Sequence, residues 1–244
     1  MVEIAVTDFL QAIFGDFYGN MLSVMLGATK WTIYLSLTAF IGGGIIGLLF
    51  TFLRIAPSRI LSQAAAAYIW TFQAIPLLML LFMIGLGIPV FFKIDVPAWL
   101  AAAVALTLFT SAFMSEVWRG ALDSIPSGQW EAGKALGFSF AKTLRLIIAP
   151  QAVRIATPPT VGLMVQVVKG TSLAYIIDYN DLMRWGKKIA NSQLEGTEPF
   201  IVYPIMAAIY FGLCFPISRI SKRLERTMME NRGMHTRTTL NGGV

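Results

Sequence analysis

Residues 119–150 read Arg119-Gly-Ala-Leu-Asp-Ser-Ile-Pro126-Ser-Gly-Gln-Trp130-Glu-Ala-Gly-Lys-Ala-Leu-Gly137-Phe-Ser139-Phe-Ala-Lys-Thr-Leu-Arg-Leu-Ile-Ile-Ala-Pro150. The stretch is too long for a plain connector, which suggests a task of its own. Ser127 can cap a first short helix, and Glu131 then supplies an early carboxylate for the positive end of its dipole. Gly137 can end that helix in the left-handed backbone that glycine accepts. Ser139 can cap a second helix at once, which makes a tight helix-turn-helix. Such a corner fits a groove on a soluble partner and can transmit force to it. An ordinary surface loop would carry the same caps and turn.

Outward from this corner the chain is apolar. No charge interrupts 31–53, 60–92, 96–115 or 199–218, and Lys169 alone interrupts 155–177. About 20 helical residues cross the roughly 30 Å hydrocarbon layer of a bilayer. With 56% hydrophobic residues, 13% charged residues and a mean hydropathy of +0.68, the composition is wrong for a soluble core. Inside lipid every backbone N–H and C=O must be paired within its own segment or a closed barrel, and nothing here alternates as barrel strands do. The expected fold is therefore an all-α integral membrane protein with about five transmembrane helices, near 32–53, 72–92, 98–117, 156–177 and 200–218. Pro76 and Pro89 should distort the second.

The division that follows is an extracytoplasmic amphipathic segment over 1–30, a membrane domain over 31–218 with its long loop at about 120–154, and a basic tail over 219–244. With the N-terminus outside, thirteen basic residues fall on the inner side: Arg54, Arg59, Arg119, Lys134, Lys142, Arg145, Arg154, Arg219, Lys222, Arg223, Arg226, Arg232 and Arg237. Five fall outside: Lys30, Lys93, Arg184, Lys187 and Lys188. That bias orients the chain with its C-terminus in the cytoplasm. It also accounts for the net charge of +6 without nucleic acid. A basic tail bound to RNA or to anionic lipid is the competing reading, and lipid contact is compatible with the first.

The first 29 residues lack the basic start of a secretory signal and carry Glu3, Asp8 and Asp16. Ile4, Val6, Phe9, Leu10, Ile13, Phe14 and Phe17 recur near helical spacing, as in an amphipathic helix that lies on the outer membrane face or packs on the protein. Cys214 is the sole cysteine and His235 the sole histidine, which excludes an intramolecular disulfide and leaves no metal site. Gly42, Gly43, Gly44 and Gly47 permit close helix approach in the first span. Asp178, Asp181 and Arg184 read as a solvated loop, with contact to an extracytoplasmic partner as the alternative.

Residues 131–150 resemble the coupling motif of the membrane subunits of ABC importers, in which Glu-Ala-Ala and a later Gly precede an Ile-x-x-Pro-like ending. Glu131, Ala132, Gly137, Ile147 and Pro150 match, while Gly133 replaces the usual second Ala at about 1 kcal/mol of helix propensity. Further matches are similar to the polar amino acid branch of these permeases. They are Ser115-Glu116-Val-Trp-Arg119-Gly120, Ser124-Ile-Pro126-Ser-Gly128-Gln129, Pro150-Gln151-Ala152-Val-Arg154, Pro158-Pro159, Lys169-Gly170-Thr171-Ser172-Leu173 and Phe72-Gln73-Ala74-Ile75-Pro76-Leu77-Leu78. Gln73 stands where the family usually has Arg, and Gly170 where it usually has an acid or amide.

The resemblance implies the type I ABC importer permease fold in a bacterial cytoplasmic (inner) membrane, carrying a polar amino acid or derivative, opines included. It implies a second permease copy, identical or homologous, an ABC ATPase subunit on each copy, and an extracytoplasmic substrate-binding protein. ATP and magnesium would then be cofactors of the partner ATPase and not of this chain, which would not itself be an enzyme. Docking on the ATPase falls to Glu131, Ala132, Gly133, Leu136, Gly137 and Ser139. For the substrate pathway the candidates are Gln73, Glu116, Lys169, Thr171 and Ser172, since a lysine facing lipid is costly and Glu116 is a possible partner for it.

Gly128-Gln-Trp-Glu-Ala-Gly133-Lys134-Ala135 has the spacing of a phosphate-binding loop, but no strand leads into it and Ala135 lacks the magnesium-binding hydroxyl. A secondary transporter driven by ions or protons is the rival function, with Glu116 and Lys169 as relay groups. The chain shows no duplicated half to support it.

Overall fold

The structure, a computed structural model, describes residues 2–192, 194 and 196–241, with side chains over 6–192, 194 and 196–228. The side chains of Glu3, Ile4, Arg232, His235 and Arg237 lie outside the described residues. Among the described residues there is no strand. The helices are α1 (Val2–Ile55), α2 (Arg59–Ala74), α3 (Leu77–Phe92), α4 (Ala98–Asp123), α5 (Ser127–Ala135), α6 (Phe140–Ile177), α7 (Leu182–Ala190) and α8 (Pro199–Asn241). α1, α4, α6 and α8 are long and apolar enough to cross a membrane, and α2 and α3, bent by 98° at the break between them, pass the same test only as a pair, which brings the candidates to five if the pair is one span.

The expected spans correspond to these four helices and the bent pair, with different edges. The second begins in a helix that starts at Arg59 and breaks inside the expected 72–92, where Ile75 is extended (φ −83, ψ 124) before Pro76. A residue ahead of proline is pushed out of the helical region by the pyrrolidine ring, so the break follows from Pro76. Pro89 breaks nothing. α3 widens into a π turn at Met83–Gly87, two residues before it. α6 does the same at Leu144–Ile148, two residues before Pro150. Each π turn absorbs the register that a proline without an N–H cannot complete. α6 also reaches back well beyond 156 and carries Pro158 and Pro159 internally.

α4 is the central helix, with Ala101, Ala102, Ala105, Leu106 and Ala112 at zero exposure. A helix that is apolar all round belongs inside a bundle, and α1, α3 and α6 surround this one. α1 comes closest. A Cβ on Gly43 would stand 2.6 Å from that of Thr110, and one on Gly47 would be 2.9 Å from the Ser111 carbonyl oxygen, so the glycines do permit the approach. Several hydroxyls of α1 return to their own helix: Thr29 donates to Met25, Ser36 to Thr32 and Thr51 to Gly47. That satisfies them without water.

The amphipathic N-terminal helix packs on the protein. Gly15 (φ 81, ψ 164) reverses the chain inside α1. The leading helix folds back so that Thr7 Oγ1 meets Ser23 Oγ at 2.6 Å and Gln11 donates to Asn20 at 2.9 Å. Its polar side faces inward, and Val6, Phe9, Ile13 and Phe14 face outward.

Candidate functional site

The corner between α4 and α6 is built from local interactions. α5 does not start on a Ser127 cap. Pro126 holds the N-cap position, with its φ already suited to the entry, and Ser127 is the first helical residue with no side-chain capping bond to it. Glu131 therefore sits a full turn inside the helix rather than in its first turn. At the other end the expected geometry is present. Gly137 has φ +71, its N–H donates to Lys134 O at 2.9 Å, and Phe138 N–H donates to Gly133 O at 3.0 Å. This pair of bonds is a Schellman motif, which satisfies the last carbonyls of α5. Ser139 then caps the next helix by accepting from Lys142 N–H at 3.4 Å.

Of the six corner residues, Glu131, Ala132, Leu136, Gly137 and Ser139 are exposed, and Gly133 is buried. Leu136 leaves 68% of its surface uncovered. Behind the tip Trp130 stacks on Phe140 (5.5 Å between centroids, 17° between planes), and Lys142 lies 4.3 Å over the Phe138 ring. Sequence reasoning missed this aromatic bracing, although its residues are all in the quoted stretch. The Gly128–Ala135 segment is a helix, and Gly133 is pressed against Thr143, so its backbone cannot cradle a phosphate.

The five pathway candidates separate. Glu116 does not pair with Lys169. It forms a bidentate ion pair with Arg119, which also holds Asp123, all on the C-terminal end of α4. Spacings of three and four residues on one helix explain this, since such side chains are neighbours. Lys169 is exposed on the flank of α6. Ser172 is beside it and donates to the Lys169 carbonyl at 2.7 Å. Gln73, half-buried on the last turn of α2, donates to the Ala112 carbonyl at 3.4 Å. Thr171 is fully buried and donates to the Val168 carbonyl. Its hydroxyl is therefore part of the bundle interior.

Two further features were not legible. An apolar groove of about 510 Å³ runs between α1 and α6 over α4, with Leu48, Phe52, Leu122, Ala152 and Val153 among its walls. Trp118 Nε1 donates to Thr160 Oγ1 at 2.9 Å there, a bond that ties α4 to α6. The loop ahead of α7 is not uniformly solvated either. Asp178 is exposed and paired with Arg184, but Asp181 has no exposed surface.

The family described as binding-protein-dependent transport system inner membrane component matches residues 43–230. The probable glutamine ABC transporter permease protein GlnP of Bacillus subtilis (strain 168) is 34% identical over 195 residues, 80% of this chain and 88% of that one. The L-cystine transport system permease protein TcyB of the same organism is 32% identical, over 84% and 86%. The glutamine transport system permease protein GlnP of Escherichia coli (strain K12) is 30% identical, over 85% and 94%. Among solved structures, one described as an amino acid ABC transporter with histidines superposes with a TM-score of 0.78 at 27% identity, over 84% of this chain and 94% of that one.

Proposed function

Because this chain belongs to the family of binding-protein-dependent transport system inner membrane components, we propose that it is the permease subunit of an ATP-driven importer for a polar amino acid or amino acid derivative. The relatives named for glutamine and cystine support that substrate class. In this reading the chain pairs with a second permease copy around a shared pathway, each copy carries one ATPase, and an extracytoplasmic binding protein delivers the substrate. ATP and magnesium act in the ATPase. This chain contributes alternating access rather than bond-making chemistry.

The observation that carries the reading is the corner itself: an exposed, rigidly capped tip bearing Leu136 and Gly137, braced from behind by Trp130 and Phe140. A tip of this build suits insertion into a groove on another protein. In this reading the tip lies in the cytoplasm and the N-terminus outside, which the basic bias of the sequence supports. Gln73, Lys169 and Ser172 are the residues proposed to line the pathway, where Lys169 escapes lipid.

The test is to purify the chain with the ATPase and binding protein encoded beside it and to measure hydrolysis as polar amino acids are added with binding protein. Ligand-dependent stimulation supports the reading and names the substrate. Uptake driven by an ion gradient, with no ATPase retained, overturns it.

A further inference from the structure

Asp181 is the only acidic or basic side chain among the described residues that is fully buried. It joins three elements. Its Oδ1 accepts the Arg184 N–H at 2.9 Å and so caps α7. Its Oδ2 accepts from Tyr210 Oη of α8 at 3.4 Å. The next residue, Leu182, donates its N–H to Thr32 Oγ1 of α1 at 3.2 Å, and Tyr179 donates to the Trp31 carbonyl at 3.0 Å. Met21 and Met25 of α1, Leu182 and Ala190 of α7, and Val202 and Met206 of α8 close over the same junction as one apolar cluster.

The polar groups around this carboxylate are neutral: Tyr210 of α8, which donates to it, Tyr179 of the connector, and Thr32 of α1 and Thr171 of α6 beside Tyr210. The cations of α7 point elsewhere. Arg184 pairs with the exposed Asp178, Lys187 lies 4.1 Å over Tyr175, and Lys188 lies 4.8 Å over Trp185. Tyr34 and the exposed Lys30 are the remaining titratable groups on this part of α1. Burial raises the Asp181 carboxyl to about 6, against the lowering effect of its backbone hydrogen bonds and of Tyr210.

We infer that Asp181 is a positioning residue for transport: it seats α7 against α1 and the N-terminal part of α8, and proton loss from it makes that seat easier to open. The inference rests on the permease reading and on the orientation proposed with it. A carboxylic acid whose closed-state value is raised is held best when protonated, and that hold weakens as the pH rises through about 6. Lifting α7 returns the group to water, where it ionises freely. Opening therefore releases a proton, and acid outside the membrane keeps the seat shut.

The complete transporter is reconstituted in vesicles with ATP inside at constant pH, and uptake is followed as the outer pH changes. The unmodified chain is expected to run about tenfold slower at pH 5 than at pH 7, the ratio of ionised fractions for a midpoint near 6. Asp181→Asn keeps a capping oxygen and should lose that dependence, whereas Tyr210→Phe should move the midpoint upward. A second readout needs no transport. In a Cys214→Ser background, Ala190→Cys is labelled with a thiol reagent in two chains, one with Asp181 and one with Asp181→Asn. The ratio of the first rate to the second cancels the titration of the thiol itself, and it should rise with pH through the same midpoint. If uptake fails but the labelling ratio titrates, the permease reading is at fault and the seat stands. Coincident pH profiles for both chains in labelling overturn the inference, as does a response to inner pH alone.

Discussion

Gly133 and Thr143 meet so closely that a Cβ on the glycine would stand 2.5 Å from Thr143 Cγ2 and 2.7 Å from its hydroxyl oxygen. Helix propensity alone says that alanine at 133 should strengthen α5 by about 1 kcal/mol. The contact says otherwise, since overpacking a fitted site costs about 1–3 kcal/mol and Thr143 is fully enclosed. Gly133→Ala should therefore lower the melting temperature of the solubilised protein. Pairing it with Thr143→Ala should restore the loss, because that change removes both clashing atoms and a buried hydroxyl without a hydrogen-bond partner. A single Gly133→Ala variant as stable as the parent would show that the two helices separate freely.

Gly137 has a left-handed backbone and open space around its Cα. Aspartate there strains the turn by about 1 kcal/mol and adds a charge to the tip. Gly137→Asp should still insert in the membrane, yet lose its ATPase on purification or hydrolyse ATP without uptake. Gly137→Asn tolerates the same backbone without the charge. If Asn transports and Asp does not, charge at the docking surface is the cause. Full coupled transport by Gly137→Asp removes the corner from the mechanism.

Orientation is open to a direct measurement. With single cysteines at Pro126 and at Ser192 in a Cys214→Ser background, a reagent that cannot cross the membrane should label the second in intact cells and spare the first. The reverse pattern would invert the topology and place the corner outside.

The sequence treats Lys169, Thr171 and Ser172 alike as pathway candidates, but their environments divide the expected effects. Lys169→Gln should change ligand-dependent uptake several-fold while leaving the assembled complex intact. Thr171→Val, made at a fully buried position, should act on stability or assembly instead. Equal transport kinetics for Lys169→Gln and the parent would exclude an essential pathway role for the lysine.

Local features of the fold were legible because their causes are local. Charge-free intervals mark the spans, Gly137 and Ser139 mark the turn and the second cap, and Pro76 marks the break in the second crossing. Ser127 misleads for a reason equally close at hand: the proline before it takes the cap position. The pairing of Glu116 with Arg119 was also available from their spacing on one helix.

By itself, the sequence determined where the apolar helices fall, the bias of their basic flanks and the capped corner, all properties of the backbone's need for hydrogen bonds and of neighbours within a few residues. Only the tertiary structure decided which side chains are shielded. Thr171 and Lys169 lie two residues apart, yet one is enclosed and the other exposed. Asp181 reads as a loop aspartate until Thr32 and Tyr210 arrive from helices distant in the chain. Burial depends on which helix faces cross, and that is set by packing across long separations that no short motif records.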